Sequence, residues 1–71
     1  MRLLLINPNT TEAMTAKMAA AARAFLPDVD VAASTGRFGA QYIASRASYA
    51  VAGHAALDCY AHDGAGADAV L

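Results

Sequence analysis

The chain opens with Leu3-Leu4-Leu5-Ile6, four large apolar residues in a row, and breaks at Asn7-Pro8. A short continuous apolar run ended by a turn dipeptide predicts a strand covered on both faces, as in a parallel sheet. Pro8 biases Asn7 away from the helical region. Asn9 is a favoured N-cap, and Glu12 stands three residues later in the slot of a capping box. A helix is therefore expected from Thr10 to about Leu26, stopped by Pro27-Asp28. Along it, Met14, Met18, Ala21 and Phe25 recur at i, i+4, i+7 and i+11 and share one face, with Lys17 and Arg23 off it.

Val29–Ala33 suggests a second strand, followed by a loop, Ser34–Gly39, with two glycines, Arg37 and Phe38. Gln41–Ser45 reads either as extended loop or as a first helical turn. From Ser45 to His62 the pattern is helical again, with Tyr49, Gly53, Leu57 and Tyr60 near one face. Glycine inside a helix costs about 1 kcal/mol relative to alanine. Close approach of this face to the sheet is the expected compensation at Gly53. Gly64 or Gly66 supplies a left-handed residue after the helix. Asp68-Ala69-Val70-Leu71 opens a third strand.

The order β-α-β-α-β predicts an α/β fold, a three-layer parallel sheet with right-handed crossovers. No repeat, linker or internal boundary interrupts it, so residues 1–71 belong to one unit. Because the third strand starts among the last residues, that unit is expected to be the N-terminal part of a larger domain.

Composition modifies this picture in three ways. Twenty of the 71 residues are Ala and five are Gly, so the 58% apolar content overstates the core. Five Lys+Arg against six Asp+Glu give a net charge of −1, which excludes an electrostatic nucleic-acid binder and a polybasic membrane module. One cysteine cannot build a disulfide framework, which fits a reducing compartment. The opening apolar run of four residues falls short of the roughly 7–15 of a signal-peptide core and the roughly 20 of a spanning helix. The expectation is a soluble, cytoplasmic chain that contacts neither nucleic acid nor membrane.

Four clusters carry candidate chemistry. In open parallel sheets, ligands bind beyond the carboxyl ends of the strands. Asn7, Asn9 and Thr10 sit where the first strand meets its helix, and a helix N-terminus there suits a carboxylate or phosphate. The same residues also suffice for an ordinary turn and cap. Without glycine the segment is neither a phosphate loop nor a dinucleotide fingerprint. The loop Thr35-Gly36-Arg37-Phe38-Gly39 also lies at the carboxyl edge: its glycines allow close backbone approach to a ligand and Arg37 suits a carboxylate, or it is an ordinary loop with a solvated Arg and a packed Phe. His54, Asp58 and His62 align on one helix face, but no further ligand cluster supports a metal, and a solvated or interface face is the expectation. Cys59, late in a helix beside Asp58, lacks the electropositive setting of a reactive thiol and reads as inert.

The segments Leu4-Leu5-Ile6-Asn7-Pro8-Asn9-Thr10-Thr11, Arg37-Phe38-Gly39, Tyr42–Arg46, Ala52–Asp58 and Gly64–Leu71 together resemble the aspartate/glutamate/hydantoin racemase superfamily, most closely its hydantoin and allantoin racemase branch. The resemblance implies two pseudo-symmetric α/β lobes with the active site between them. It implies a cofactor-independent racemase, or isomerase, with two cysteines that remove and return a proton at a stereocentre. The substrate would be a small molecule: a hydantoin, allantoin or an acidic amino acid. Asn7, Asn9 and Thr10 would be the substrate-binding residues. The catalytic cysteines of such enzymes have no counterpart in this chain, and Cys59 matches neither, so the 71 residues are expected to be inactive by themselves. Ala44 stands where relatives often carry Glu, which leaves the substrate open. The exposed edge of the third strand would favour association, and a homo-oligomer is possible on this reading. A decarboxylase or cis-trans isomerase of the same superfamily, and a non-catalytic α/β module binding an anion, are the alternatives.

Overall fold

A computed structural model describes the whole chain, Met1–Leu71. Its elements are β1 (Arg2–Asn7), α1 (Glu12–Phe25), β2 (Asp30–Thr35), α2 (Arg46–Asp63) and β3 (Ala69–Val70). The strands form one parallel sheet in the order β2-β1-β3. Beyond Val70 the backbone stays in register, with Leu71 N–H on Leu4 O and Ile6 N–H on Leu71 O, both 2.9 Å.

The period of two along the strands divides the sheet's faces. Leu3, Leu5 and Asn7 of β1 lie beside Val31, Ala33 and Thr35 of β2 and face α1. Leu4 and Ile6 face the other way, as does Ser34, whose hydroxyl donates to Asp63 at the end of α2. The two helices thus cover opposite faces, which gives the three layers expected of a β-α-β-α-β chain. Under α1 the core is Leu3, Leu5, Ala19 and Val31, edged by Met18, Ala22, Val29 and Ala69. On the α2 side the fully buried groups are Leu4, Ala55 and Cys59. A buried Leu contributes about 1.5–3 kcal/mol. With so few large side chains inside, the hydrophobic contribution is small.

Several expectations are corrected by this geometry. The first helix starts at Glu12 rather than Thr10, with Thr11 as an N-cap that makes no side-chain cap bond. Asn9 cannot open the helix because its carbonyl already accepts the Gly36 N–H at 2.9 Å. Its side chain instead closes a local turn, accepting the Thr11 N–H at 2.9 Å. A capping box does exist, on α2: Ser45 Oγ accepts from Ser48 N–H at 3.1 Å, and Ser48 Oγ accepts from Ser45 N–H at 2.8 Å.

The faces of both helices are also rotated from expectation. Thr15 and Ala19 of α1 are buried with Met18 and Ala22 half-buried beside them, while Met14 and Phe25 project into solvent, Phe25 at 87% exposure. On α2 it is Ala55 and Cys59 that meet the sheet; Tyr49, Gly53, Leu57 and Tyr60 are exposed. Nothing lies within 4 Å of where a Gly53 side chain would begin, so this glycine is not explained by packing on the sheet. Of the two candidate glycines after α2, Gly66 is the left-handed one, at φ +80°; Gly64 stays in the right-handed region at −78°.

Candidate functional site

Three stretches of backbone converge at the carboxyl rim of β1 and β2: the Asn7–Thr11 turn, the end of β2 at Thr35-Gly36, and Ala40-Gln41. Gly36 N–H bridges the Asn7 and Asn9 carbonyls at 2.8 and 2.9 Å. That approach requires glycine, since a Cβ at Gly36 would stand 2.5 Å from Pro8 O and 2.7 Å from Asn9 O. From the other side, Ala40 O accepts the Thr10 N–H at 3.1 Å and Gln41 O accepts the Thr11 hydroxyl at 2.9 Å.

Within this frame Asn7 and Asn9 are buried, at 3% and 7% exposure. Asn7 Nδ2 donates to Asn9 Oδ1 at 2.8 Å, to Thr15 Oγ1 at 3.0 Å and to Thr11 O at 3.3 Å. Its Oδ1 accepts the Asn9 N–H at 3.3 Å. Asn9 Nδ2 reaches the Met14 sulfur at 3.6 Å. Thr15 Oγ1 also receives the Thr35 hydroxyl at 2.7 Å. No buried side-chain nitrogen or oxygen is left without a partner. Thr10 is only half-buried, and its hydroxyl takes no partner within the chain. The first two amides of α1, Glu12 and Ala13, likewise have no backbone acceptor. The rim therefore combines two closed amides that shape the turn with an open hydroxyl and open N–H groups at the positive end of a helix.

Arg37 makes a fork–fork pair with Asp58 of α2, Nε to Oδ2 at 2.8 Å and Nη2 to Oδ1 at 3.0 Å. That bond holds the Asp58 carboxyl below its usual range, helped by the charge of Arg37 and opposed by partial desolvation; Arg37 is pushed up in return. The guanidinium is thus committed to α2. His62 Nδ1 lies 3.5 Å from Asp58 Oδ1, and His54 packs edge-on against Phe38 with ring centroids 5.0 Å apart. His54 and Asp58 therefore fasten the Arg37-Phe38 loop to α2, and His62 meets only Asp58 of its own helix. Cys59, 1% exposed, donates its S–H toward Thr35 O at 3.5 Å.

Along the outer edge of β2 runs an open groove of about 400 Å³, lined by Glu12, Thr15, Arg23, Ser34, Arg37 and Asp63 among others. Arg23 donates to Val31 O at 2.9 Å there and occupies one edge carbonyl. Thr15 was not singled out by the sequence as a site residue, whereas Thr35 and Gly36 belong to the Thr35–Gly39 loop that the sequence marks as a second candidate. A hydroxyl rather than an apolar residue at the sheet-facing position of α1 is the one local signal for it.

The polar turn lies at the carboxyl rim of a parallel α/β layer, where such sheets bind their ligands. Residues 3–71 match the family model described as Asp/Glu/Hydantoin racemase, and the chain belongs to that family. No curated protein and no solved structure matches it at significance. No helix is long and apolar enough to cross a membrane.

Proposed function

We propose that the chain forms the N-terminal part of the first lobe of a two-lobed racemase, and that Asn7, Asn9 and Thr10 build the substrate-facing turn. The carrying observation is the position of that turn: at the strands' carboxyl rim, closed on its inner side and open at Thr10 and the first amides of α1. The substrate is a small chiral molecule with a carbonyl or carboxylate next to its acidic C–H: a hydantoin, allantoin or an acidic amino acid.

Inverting such a centre without a cofactor needs a base on one face and an acid on the other. In this reading a thiolate takes the proton and becomes a thiol. A second thiol on the opposite face gives its proton to the carbanion and becomes the thiolate. Substrate composition is unchanged, and the enzyme is left in the mirror protonation state. The enolate-like charge between the two steps needs fixed donors. Thr10 Oγ1 and the Glu12 and Ala13 N–H groups are suited to that task, while Asn7 and Asn9 hold them in place. Cys59 is assigned neither sulfur role, because it is sealed beneath α2 and bonded to a carbonyl. The two thiols belong to other parts of the enzyme, which would work in the cytoplasm, and the 71 residues alone do not turn over.

Deuterium exchange tests this. The 71-residue chain, incubated in deuterated water with a panel of hydantoins, allantoin and acidic amino acids, should incorporate no deuterium at the stereocentre. Fused to the remainder of a two-lobed racemase that supplies both cysteines, it should exchange at least one of them. Exchange by the short chain alone would overturn the inactive-fragment reading; no exchange by the fusion on any substrate would overturn the racemase reading.

A further inference from the structure

One donor at the rim has a partner of a different kind from the rest. Asn9 is buried, and its Oδ1 accepts from Asn7 Nδ2 at 2.8 Å and from the Thr11 N–H at 2.9 Å. Its Nδ2 donates instead to the thioether sulfur of Met14 at 3.6 Å, the one hydrogen bond that this nitrogen makes. A thioether is a weak acceptor. The amide is therefore fixed by strong bonds on its oxygen and closed by a weak one on its nitrogen.

The side chain that closes it is also within reach of solvent. Met14 is 44% exposed although it bonds a buried amide. The other two methionines differ from it. Met1 is exposed at the terminus and its side chain makes no hydrogen bond, and Met18 is half-buried against the core under α1. Met14 alone is both accessible and joined to the candidate site.

We propose that Met14 is a modification site: a peroxide converts its thioether to the sulfoxide, and the change of acceptor passes through Asn9 to the Asn7–Thr11 turn. A sulfur lone pair attacks one peroxide oxygen, and the O–O bond breaks as the S–O bond forms. The proton of the attacked oxygen passes to the departing one, which leaves as water. Sulfur is oxidised by two electrons and the peroxide is reduced by two. The product is polar and presents an oxygen, a stronger acceptor than sulfur, one bond further along the side chain. Asn9 Nδ2 then bonds to that oxygen, and Met14 withdraws toward solvent to make room. Because Asn9 Oδ1 holds the Thr11 N–H, the shift of this amide reaches the N-cap of α1. That oxidation also alters substrate binding rests on the reading of this turn as substrate-facing; that it alters the turn does not.

Titration of the 71-residue chain with hydrogen peroxide tests this, read by peptide mass mapping and by nitrogen–proton NMR. Oxygen should enter Met14 several-fold faster than Met18. At full conversion of Met14, the Asn9 side-chain NH2 pair and the Thr11 amide should shift, and a methionine sulfoxide reductase should return both to their starting positions. Met14→Leu keeps the apolar bulk and the helix preference and removes the sulfur. The same treatment should leave its Asn9 resonances unmoved. Oxidation of Met14 no faster than that of Met18 would overturn the proposal, and so would an unshifted Asn9 amide at full conversion; the parent chain alone decides both. An equal shift in Met14→Leu would assign the effect to Met1 or Met18 and overturn it too. None of these readouts passes through turnover, so their failure is distinct from failure of the racemase reading.

Discussion

Asn7 and Thr35 are register partners at the ends of β1 and β2, and their side chains meet on a third group, the hydroxyl of Thr15. One α1 side chain thereby ties the carboxyl ends of both strands together at the point where the candidate site begins. In a buried setting such a bond matters mostly through what its loss leaves unpaired. Thr15→Val keeps the shape and removes the hydroxyl, taking the acceptor from the Thr35 hydroxyl and leaving Asn7 Nδ2 with Asn9 Oδ1 and the longer bond to Thr11 O. We expect a loss of about 1–3 kcal/mol in urea unfolding. Thr15→Ser, which keeps the oxygen, should cost clearly less. Equal costs for the two variants would show that the methyl group, not the hydrogen bond, holds the rim.

Gly36 is the second fixed point. Its missing side chain is what lets β2 press against the Pro8 and Asn9 carbonyls, and both obstructing atoms are backbone. Neither can swing aside as a side chain would. Gly36→Ala should therefore cost about 1–3 kcal/mol, the usual range for overpacking. That is a large share of a total stability on the order of 5 kcal/mol for a chain of this size. The amide of Thr10, bonded to Ala40 O, should lose protection from hydrogen exchange in the same variant. Unchanged protection and melting temperature would mean that the turn adapts at little cost.

The order of elements was legible because its signals are local: the apolar run Leu3–Ile6, the break at Asn7-Pro8, and the stop at Pro27. Which face each helix packs was not. With 20 alanines in 71 residues, nearly every face of either helix is apolar enough, so the spacing of the larger residues decides little. What turns α1 is Thr15 bonded to both strand ends. On α2 it is Ala55 and Cys59 that are buried, and the Cys59 S–H reaches Thr35 O at the end of β2. The site was half legible for the same reason. Topology alone puts Asn7–Thr10 and the Thr35–Gly39 loop at the rim, but that the Gly36 N–H meets the Asn7 and Asn9 carbonyls emerges only from the strand pairing. Arg37 finds Asp58 only when the loop folds over α2, 21 residues along the chain.

Gly53 offers a test of a different kind. Its surroundings within the chain are empty, and its backbone is helical, so alanine fits without strain. Gly53→Ala should stabilise the chain by about 0.5–1 kcal/mol, largely by restricting the unfolded state. The measurement is the urea midpoint. A destabilised variant would mean that the glycine makes a close contact in the folded chain.

The Arg37–Asp58 pair sets the acid limb of stability. Asp58 titrates lower in the folded chain than the ordinary 3.8, chiefly because Arg37 donates to its carboxylate. A carboxyl with a depressed folded pKa binds fewer protons folded than unfolded. Its contribution is therefore fully present above the unfolded value and constant toward neutrality. It begins to fade as the pH drops below about 3.8 and is gone once the pH has passed through the lower folded value. Arg37 keeps its proton throughout this window, so the effect belongs to the carboxylate alone. The pair is partly solvated, so the effect is modest and screened by salt. Asp58→Asn should remove it: the stability difference between the parent chain and the variant is level from neutrality down to about pH 4 and shrinks below that. The Gly36–Ala40 amides should exchange faster in Asp58→Asn, because the loop has lost its tether to α2. A difference curve that widens as the pH falls would reverse the sign, and Arg37 would then not be the group that holds the carboxylate in its charged form.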